Sequence, residues 1–220
     1  MSADEFERIR EMYAAGHRTH GDTSAALMTP KGRHDLRFRP VVEELRRNPG
    51  MSVLDYGCGL GHLLMELAPE FPDVRYTGVD ITPSFIESCN RRLGNAGKFE
   101  LVEPDGPIGG TYDIVVCSGV FNLKTSESPV ESLTYVENRI AELLAVCREV
   151  FICDFLSPFV DFEQDGAQHI PIETVAGWLV KRSLRRFVVR HDLLPYEFTV
   201  VVRMDSTIKR PENIFVVDVR

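Results

Sequence analysis

The chain predicts an α/β protein: a mostly parallel sheet of seven strands, helices on both faces, a late antiparallel strand and a helical segment at the N-terminus. Two observations carry this expectation. Between residues 51 and 154 short apolar runs alternate with amphipathic helical stretches, and a chain that alternates in this way builds a parallel sheet flanked by its crossover helices. Further on, two β-rich runs, 187–190 and 198–203, are separated only by His191-Asp-Leu-Leu-Pro-Tyr-Glu197. That connection is too short for a parallel crossover, so these two strands are antiparallel.

The elements follow in order. Phe6, Ile9 and Tyr13 recur at helical spacing and predict a short N-terminal helix. Residues 16–32 are polar and turn-rich, with His17, His20 and Pro30, and a helical stretch over 33–48 carries Pro40, which predicts a kink or a restart. Then come a strand at 51–55, a helix at 61–68, a strand at 75–79, a helix at 83–93 and strands at 98–102 and 112–117. A helix over 129–147 and a strand at 149–154 complete the alternation. Thr82 stands where it would cap a helix that begins at Pro83. Ser128, Pro129 and Glu131 form a capping box ahead of the stripe Leu133, Val136, Ile140 and Leu143. A loop over 156–170 and a helix over 171–182 lead to the antiparallel pair, and 214–219 suggests one more edge strand. Residues 1–48 read as a lid or extension on a single compact domain over 49–220, and Met1 to Pro30 is expected to move as the lid.

Composition sets limits. A chain of 220 residues can bury a full core, and 44% hydrophobic with 26% charged residues is ordinary for a globular enzyme. No apolar run approaches the roughly 18 residues of a membrane span, and the charged start Met-Ser-Ala-Asp-Glu-Phe-Glu-Arg does not resemble a signal sequence, so a cytoplasmic location is expected. Five cysteines, odd in number and without C-x-x-C spacing, point to reduced thiols and away from zinc. A net charge of −8 argues against a nucleic-acid target, whose affinity draws on Lys and Arg. The basic run 181–186 reads better as a solvated helix end.

The functional signal lies in Met-Ser-Val-Leu-Asp-Tyr-Gly-Cys-Gly-Leu-Gly, residues 51–61, a strand that runs through an acid into a loop with glycine at every second position. Such a loop lets the backbone turn tightly and a ligand come close, and the helix after it aims its first amides at the same place. The strand at 75–79 ends in Asp80, on the order of 20 residues further on, where an open α/β sheet places an acid for ribose hydroxyls. A dinucleotide fingerprint would put its third glycine at His62; the chain has G-x-G-x-G instead. This resembles motif I of the class I S-adenosylmethionine (SAM) dependent methyltransferases, and Tyr76-Thr-Gly-Val-Asp80 resembles their motif II. Tyr112-Asp-Ile-Val-Val-Cys-Ser118 is similar to motif IV, and Val150-Phe-Ile-Cys-Asp154 to the strand that follows it.

The resemblance implies a Rossmann-like methyltransferase fold, SAM as cofactor and S-adenosylhomocysteine as product. By position it implies a cofactor site of Asp55, Gly57, Cys58, Gly59, Gly61, Asp80, Ile81, Glu103 and Ser118, with either Glu103 or Asp105 towards adenine. Ser118-Gly-Val-Phe-Asn122, Asp161-Phe-Glu-Gln-Asp-Gly166, Arg190-His-Asp and Tyr196-Glu-Phe narrow the similarity to a group of small bacterial methyltransferases, some associated with saccharide or natural-product pathways. The region of Tyr13 and His20-Gly21 is similar to that group's N-terminal lid.

Methyl transfer requires alignment of an acceptor and, for a hydroxyl, removal of a proton. His191 is expected as general base or positioning residue, with Asp154 next, and Tyr13, His20, Phe121, Asn122 and Tyr196 are expected around the acceptor. His169 reads as loop structure. Ser118 stands where a catechol-type enzyme would have an acidic metal ligand, so no metal is expected. Ser118-Gly-Val-Phe121 also lacks the paired prolines of adenine methyltransferases. The favoured acceptor is a small molecule methylated on oxygen or nitrogen. A protein or RNA methyltransferase and a non-catalytic SAM-binding partner are the alternatives; the oligomeric state is open.

Overall fold

A computed structural model of the chain describes residues 3–28 and 34–204; Pro30 and the suggested strand at 214–219 lie outside them. The strands are β1 Ser52–Tyr56, β2 Arg75–Asp80, β3 Lys98–Leu101, β4 Tyr112–Cys117, β5 Cys147–Leu156, β6 Phe187–Leu194 and β7 Glu197–Arg203. The helices are α1 Ala3–His20, α2 His34–Arg47, α3 His62–Leu67, α4 Pro83–Leu93, α5 Pro129–Ala145 and α6 Ile172–Lys181. The sheet order is β3-β2-β1-β4-β5-β7-β6. β7 runs antiparallel to both its neighbours, while β1 to β5 pair in parallel. The direction of winding reverses between β1 and β4, and at such a switch point the carboxyl ends of the strands leave a crevice.

Central strands covered on both faces need continuous apolar runs. Ile114 to Cys117 and Val150 to Cys153 meet this need, all of them buried. On one face α5 and α6 pack Val136, Ile140, Trp178 and Leu179 over Val115, Phe151 and Val202. On the other, Val41 and Leu45 of α2, Leu63 and Leu67 of α3 and Ile86 of α4 cover Val53, Val116 and Ile152.

Several local expectations are corrected. α1 continues through Gly16 to His20, because the missing side chain admits the following 3₁₀ turn Ser24–Leu27: a Cβ on Gly16 would stand 2.8 Å from the Ala26 carbonyl oxygen. α2 runs unbroken through Pro40, held down by buried Phe38, Val41 and Leu45. Thr82 occupies the position before α4, but its hydroxyl caps nothing; its carbonyl accepts from the Phe85 and Ile86 amides instead. Half of the α5 capping box forms: Ser128 Oγ accepts from the Glu131 amide, while the Glu131 carboxylate takes the Ser126 hydroxyl.

The last hairpin is tighter than expected. β5 extends to Leu156 and pairs with β7 from Val150↔Arg203 to Leu156↔Glu197, so β6 is drawn out to Leu194 with an irregularity after Arg190. His191 therefore lies within a strand and not in a loop. Three ion pairs join α2 to this hairpin: Arg37 to Glu197, Glu43 to Arg190 and Glu44 to Arg203.

Candidate functional site

A cavity of about 570 Å³ opens at the carboxyl ends of the strands, within the roughly 300–1,000 Å³ of small-molecule sites. β1 delivers Asp55 and Tyr56 to its floor, and the glycine loop follows. Gly57, Gly59 and Gly61 all have positive φ, at 78°, 53° and 75°, where other residues are strained. Their open sides face protein. A Cβ on Gly57 would meet Val120 Cγ2 at 2.2 Å, one on Gly59 would meet Leu27 at 3.0 Å, and one on Gly61 would meet Leu93 at 2.6 Å. The loop is a hub on which the 3₁₀ turn, the turn after β4 and α4 converge.

Asp80 ends β2 and fixes this loop. One carboxylate oxygen accepts from the Gly59 amide at 2.9 Å and the other from the Thr82 amide at 2.8 Å. Burial raises its pKa against these hydrogen bonds. Thr82 Oγ1 is buried on the cavity wall beside the Asp80 carboxylate, with no protein hydrogen bond of good geometry, which marks a place for a polar ligand atom. Ile81, Val102, Pro104 and Tyr135 continue this end as an apolar slot, closed from above by Phe6 and Ile9 of α1.

Asp55 lies beneath the loop and accepts from Tyr76 Oη at 2.5 Å. Burial pushes its carboxyl up to about 7, although the tyrosine bond opposes the shift. An aspartate in an unfolded chain titrates near about 3.9, so the folded state holds this proton more tightly. The resulting contribution to stability is complete below the unfolded value and is lost as pH rises towards 7. Asp55→Asn retains an oxygen for Tyr76 and removes the titration. Free energies of denaturant unfolding should therefore diverge in favour of the variant between pH 4 and 7; parallel curves would exclude a proton held on Asp55.

The second half of the cavity lies beyond β4 and β5. Ser118 and Asn122, the loop after β5, and the β6–β7 turn with Tyr196 and Glu197 surround it. Arg37 reaches across from α2 and donates to both Glu197 oxygens at 2.6 Å, with the two side chains 10% and 5% exposed. Tyr13 enters from α1; burial first, then the Asp80 charge, pushes its hydroxyl up to about 12.

Of the residues expected at the cofactor, Asp55, Gly57, Cys58, Gly59, Asp80, Ile81 and Ser118 reach the cavity. Gly61 does not; its lack of a side chain serves packing against α4. Glu103 points to solvent and pairs with Arg10 at 3.1 Å, and it is Val102 and Pro104 that face inward. Tyr13, Asn122 and Tyr196 reach the cavity, but Phe121 is buried against Phe155 and His20 is exposed at the end of α1.

The two expected catalytic residues are not on the cavity wall. Asp154 is buried beneath it, accepting from Ser118 Oγ at 2.5 Å and the Gly119 amide at 2.7 Å, so it holds the turn after β4. Burial raises its pKa and the Arg37 charge opposes this. His191, on β6, pairs its Nε2 with Ser157 Oγ at 2.9 Å. The histidine that does line this second half of the cavity is His169, whose Nδ1 lies 2.7 Å from the Ser157 carbonyl oxygen. Arg37, Glu197 and His169 were not singled out by position because α2, a strand end and an irregular loop bring them together from distant parts of the chain. Among the described residues no group of three or more His, Cys, Asp or Glu side chains is arranged to hold a metal ion.

Comparison with known proteins agrees with this geometry. Residues 54–149 match a family model described as a methyltransferase domain. A putative methyltransferase of Mycobacterium tuberculosis, Rv1506c, is 26% identical over 157 residues, which cover 70% of this chain and 94% of that protein. The malonyl-[acyl-carrier protein] O-methyltransferase of Anoxybacillus flavithermus is 29% identical over 100 residues, 44% of this chain and only 39% of the relative. In structure, the SAM-bound magnesium protoporphyrin IX methyltransferase of Synechocystis superposes with a TM-score of 0.65 at 18% identity, over 93% of this chain and 99% of that one. The reversal of winding at β1 and β4, the single antiparallel β7, the glycine loop pinned by Asp80 and the matching domain converge on one conclusion: the chain carries a methyltransferase domain, in the fold that S-adenosylmethionine-bound methyltransferases share.

Proposed function

We propose that the enzyme methylates an oxygen or nitrogen of a small-molecule acceptor without a metal ion. The observation that carries this reading is the shape of the cavity: one continuous space with a cofactor half at β1–β3 and a second half bounded by β4, β5 and the last turn. Phe6, Ile9 and Tyr13 of α1 line one side of it, and its volume suits a small molecule. Asp80 would accept from the ribose hydroxyls, and the buried Thr82 hydroxyl would satisfy a further polar group. Ile81, Val102 and Pro104 would enclose the adenine. When bound, the cofactor supplies a methyl group on a sulfonium, already activated towards a nucleophile. The chain's own task is then to orient the acceptor, exclude water and receive a proton. Asp154 contributes by fixing Ser118 and Gly119 beside the point of transfer. Incubation with labelled SAM and a panel of hydroxylated, aminated and saccharide metabolites should give a methylated product detectable by mass; label transferred only to protein or RNA would refute the small-molecule reading.

The helical roof is proposed to open for exchange of ligands. It meets α4 through polar and aromatic contacts: Asp22 accepts from Ser88 Oγ at 2.6 Å, His17 Nδ1 lies 3.1 Å from Ser84 Oγ, and the Tyr13 and His17 rings pack edge-on against Phe85. Saturating S-adenosylhomocysteine should slow amide hydrogen exchange across residues 3–28. Unchanged exchange there would mean that the segment is a fixed part of the fold.

A further inference from the structure

We propose that His169 is the residue that takes the acceptor's proton, an inference that rests on the methyl-transfer reading above. Its backbone is stitched to the place where transfer would occur. The Gln168 amide donates to the Asn122 carbonyl at 2.9 Å, the Ile170 amide donates to the Leu156 carbonyl at 3.0 Å, and His169 itself bridges to Leu156 two residues beyond Asp154. The ring lines the acceptor half of the cavity.

Its hydrogen bonding fixes the tautomer. A carbonyl oxygen only accepts, so the 2.7 Å contact with Ser157 requires the proton on Nδ1. Nε2 then carries the lone pair, and no described residue hydrogen-bonds to it. Ser157 is itself held: its amide donates to the Tyr196 carbonyl at 2.9 Å, while its hydroxyl accepts from the Phe159 amide and pairs with His191. A buried serine fixed at three points thus orients the imidazole, an arrangement that serves a base.

Three of the competing carboxylates are engaged elsewhere. Glu197 is bound through both oxygens to Arg37, Asp154 holds Ser118 and Gly119, and Asp161 accepts from the Tyr196 hydroxyl on an exposed loop. In the step itself, the acceptor's lone pair forms a bond to the methyl carbon while the carbon–sulfur bond breaks and leaves its electron pair on sulfur. The acceptor's proton passes to Nε2, and the imidazolium returns it to water.

The test needs no knowledge of the acceptor. Sinefungin carries an ammonium group at the position of the transferable methyl, whereas S-adenosylhomocysteine carries nothing there. Calorimetric affinities of both should be measured from pH 8 to 5.5. Protonation of His169 places an imidazolium near that ammonium, so sinefungin should lose about tenfold relative to S-adenosylhomocysteine, and His169→Gln should abolish the loss. The carboxylates of Asp161, Asp165 and Glu197, the guanidinium of Arg37 and the Tyr13 and Tyr196 hydroxyls face the same space, and Asp154 and His191 lie behind its wall; they are common to both proteins and cancel in the comparison. A ratio independent of pH in the wild type, or a loss that persists in His169→Gln, overturns the proposal. Ring ¹⁵N spectra of the wild-type S-adenosylhomocysteine complex decide it without any variant, because a lone pair on Nδ1 of His169 would overturn it too. No binding of S-adenosylhomocysteine at any pH would instead bring down the methyltransferase reading, and this inference with it.

Discussion

Asp80→Ala should weaken binding of S-adenosylhomocysteine by at least tenfold while the protein remains folded. The carboxylate performs two tasks. It accepts from the Gly59 and Thr82 amides, which holds the glycine loop in its bent form, and its remaining lone pairs are available to a ribose. A hydrogen bond to a charged group contributes about 1.5–3 kcal/mol, and a loss of that size corresponds to roughly a 10- to 150-fold rise in Kd. Asp80→Asn keeps one oxygen and should fall between the two. Titration calorimetry checks both variants, with circular dichroism as the control for folding. Tighter binding of NAD than of S-adenosylhomocysteine by the wild type would sink the assignment of this half of the cavity.

Arg37→Met should be the most destabilising single change. The guanidinium and the Glu197 carboxylate are nearly buried and meet in a two-pronged contact. Removing the cation leaves a carboxylate in the interior without its partner, which costs about 3–5 kcal/mol, whereas replacing both members of such a pair with apolar groups is often neutral. Arg37→Met combined with Glu197→Leu should therefore recover most of the stability in denaturant unfolding. It should not recover the acceptor half of the cavity, whose wall the pair forms. A double variant no more stable than Arg37→Met would show that the pair acts mainly through its neighbours Asp154 and Tyr13.

The parts of this protein that were legible in its sequence are those with a local cause. The glycine loop, Asp80 at a strand end and the helix that begins at Pro83 each follow from a few adjacent residues, and the antiparallel β7 follows from the length of one connection. What was misread depends on distant partners. The residues after His191 suggest a turn, yet pairing with β7, itself held along an extended β5, draws them into a strand. Phe121 follows Ser118 closely enough to seem exposed to the ligand, but Phe155 and the core below capture it. His169 does lie in the loop between β5 and α6, but nothing in its flanking sequence reveals that the Ser157 carbonyl will engage its ring. Thr82 has the right residue type for a cap, and its hydroxyl lies instead on the cavity wall.

The three ion pairs between α2 and the final hairpin also bear on the order in which the molecule can be completed. Arg37 and Glu197 are 160 residues apart, Glu44 and Arg203 are 159 apart, and Glu43 and Arg190 are 147 apart. Contacts of such long sequence separation close late, because the entropy of a large loop must be overcome before they form. During synthesis β1 to β5 can emerge and begin to assemble while α2 still lacks its charged partners. The wall of the cavity's second half, where the acceptor is proposed to bind, can form only after β7 has inserted between β5 and β6. A ribosome-bound chain that stops short of residue 197 should thus possess the cofactor loop and yet have nowhere to hold an acceptor.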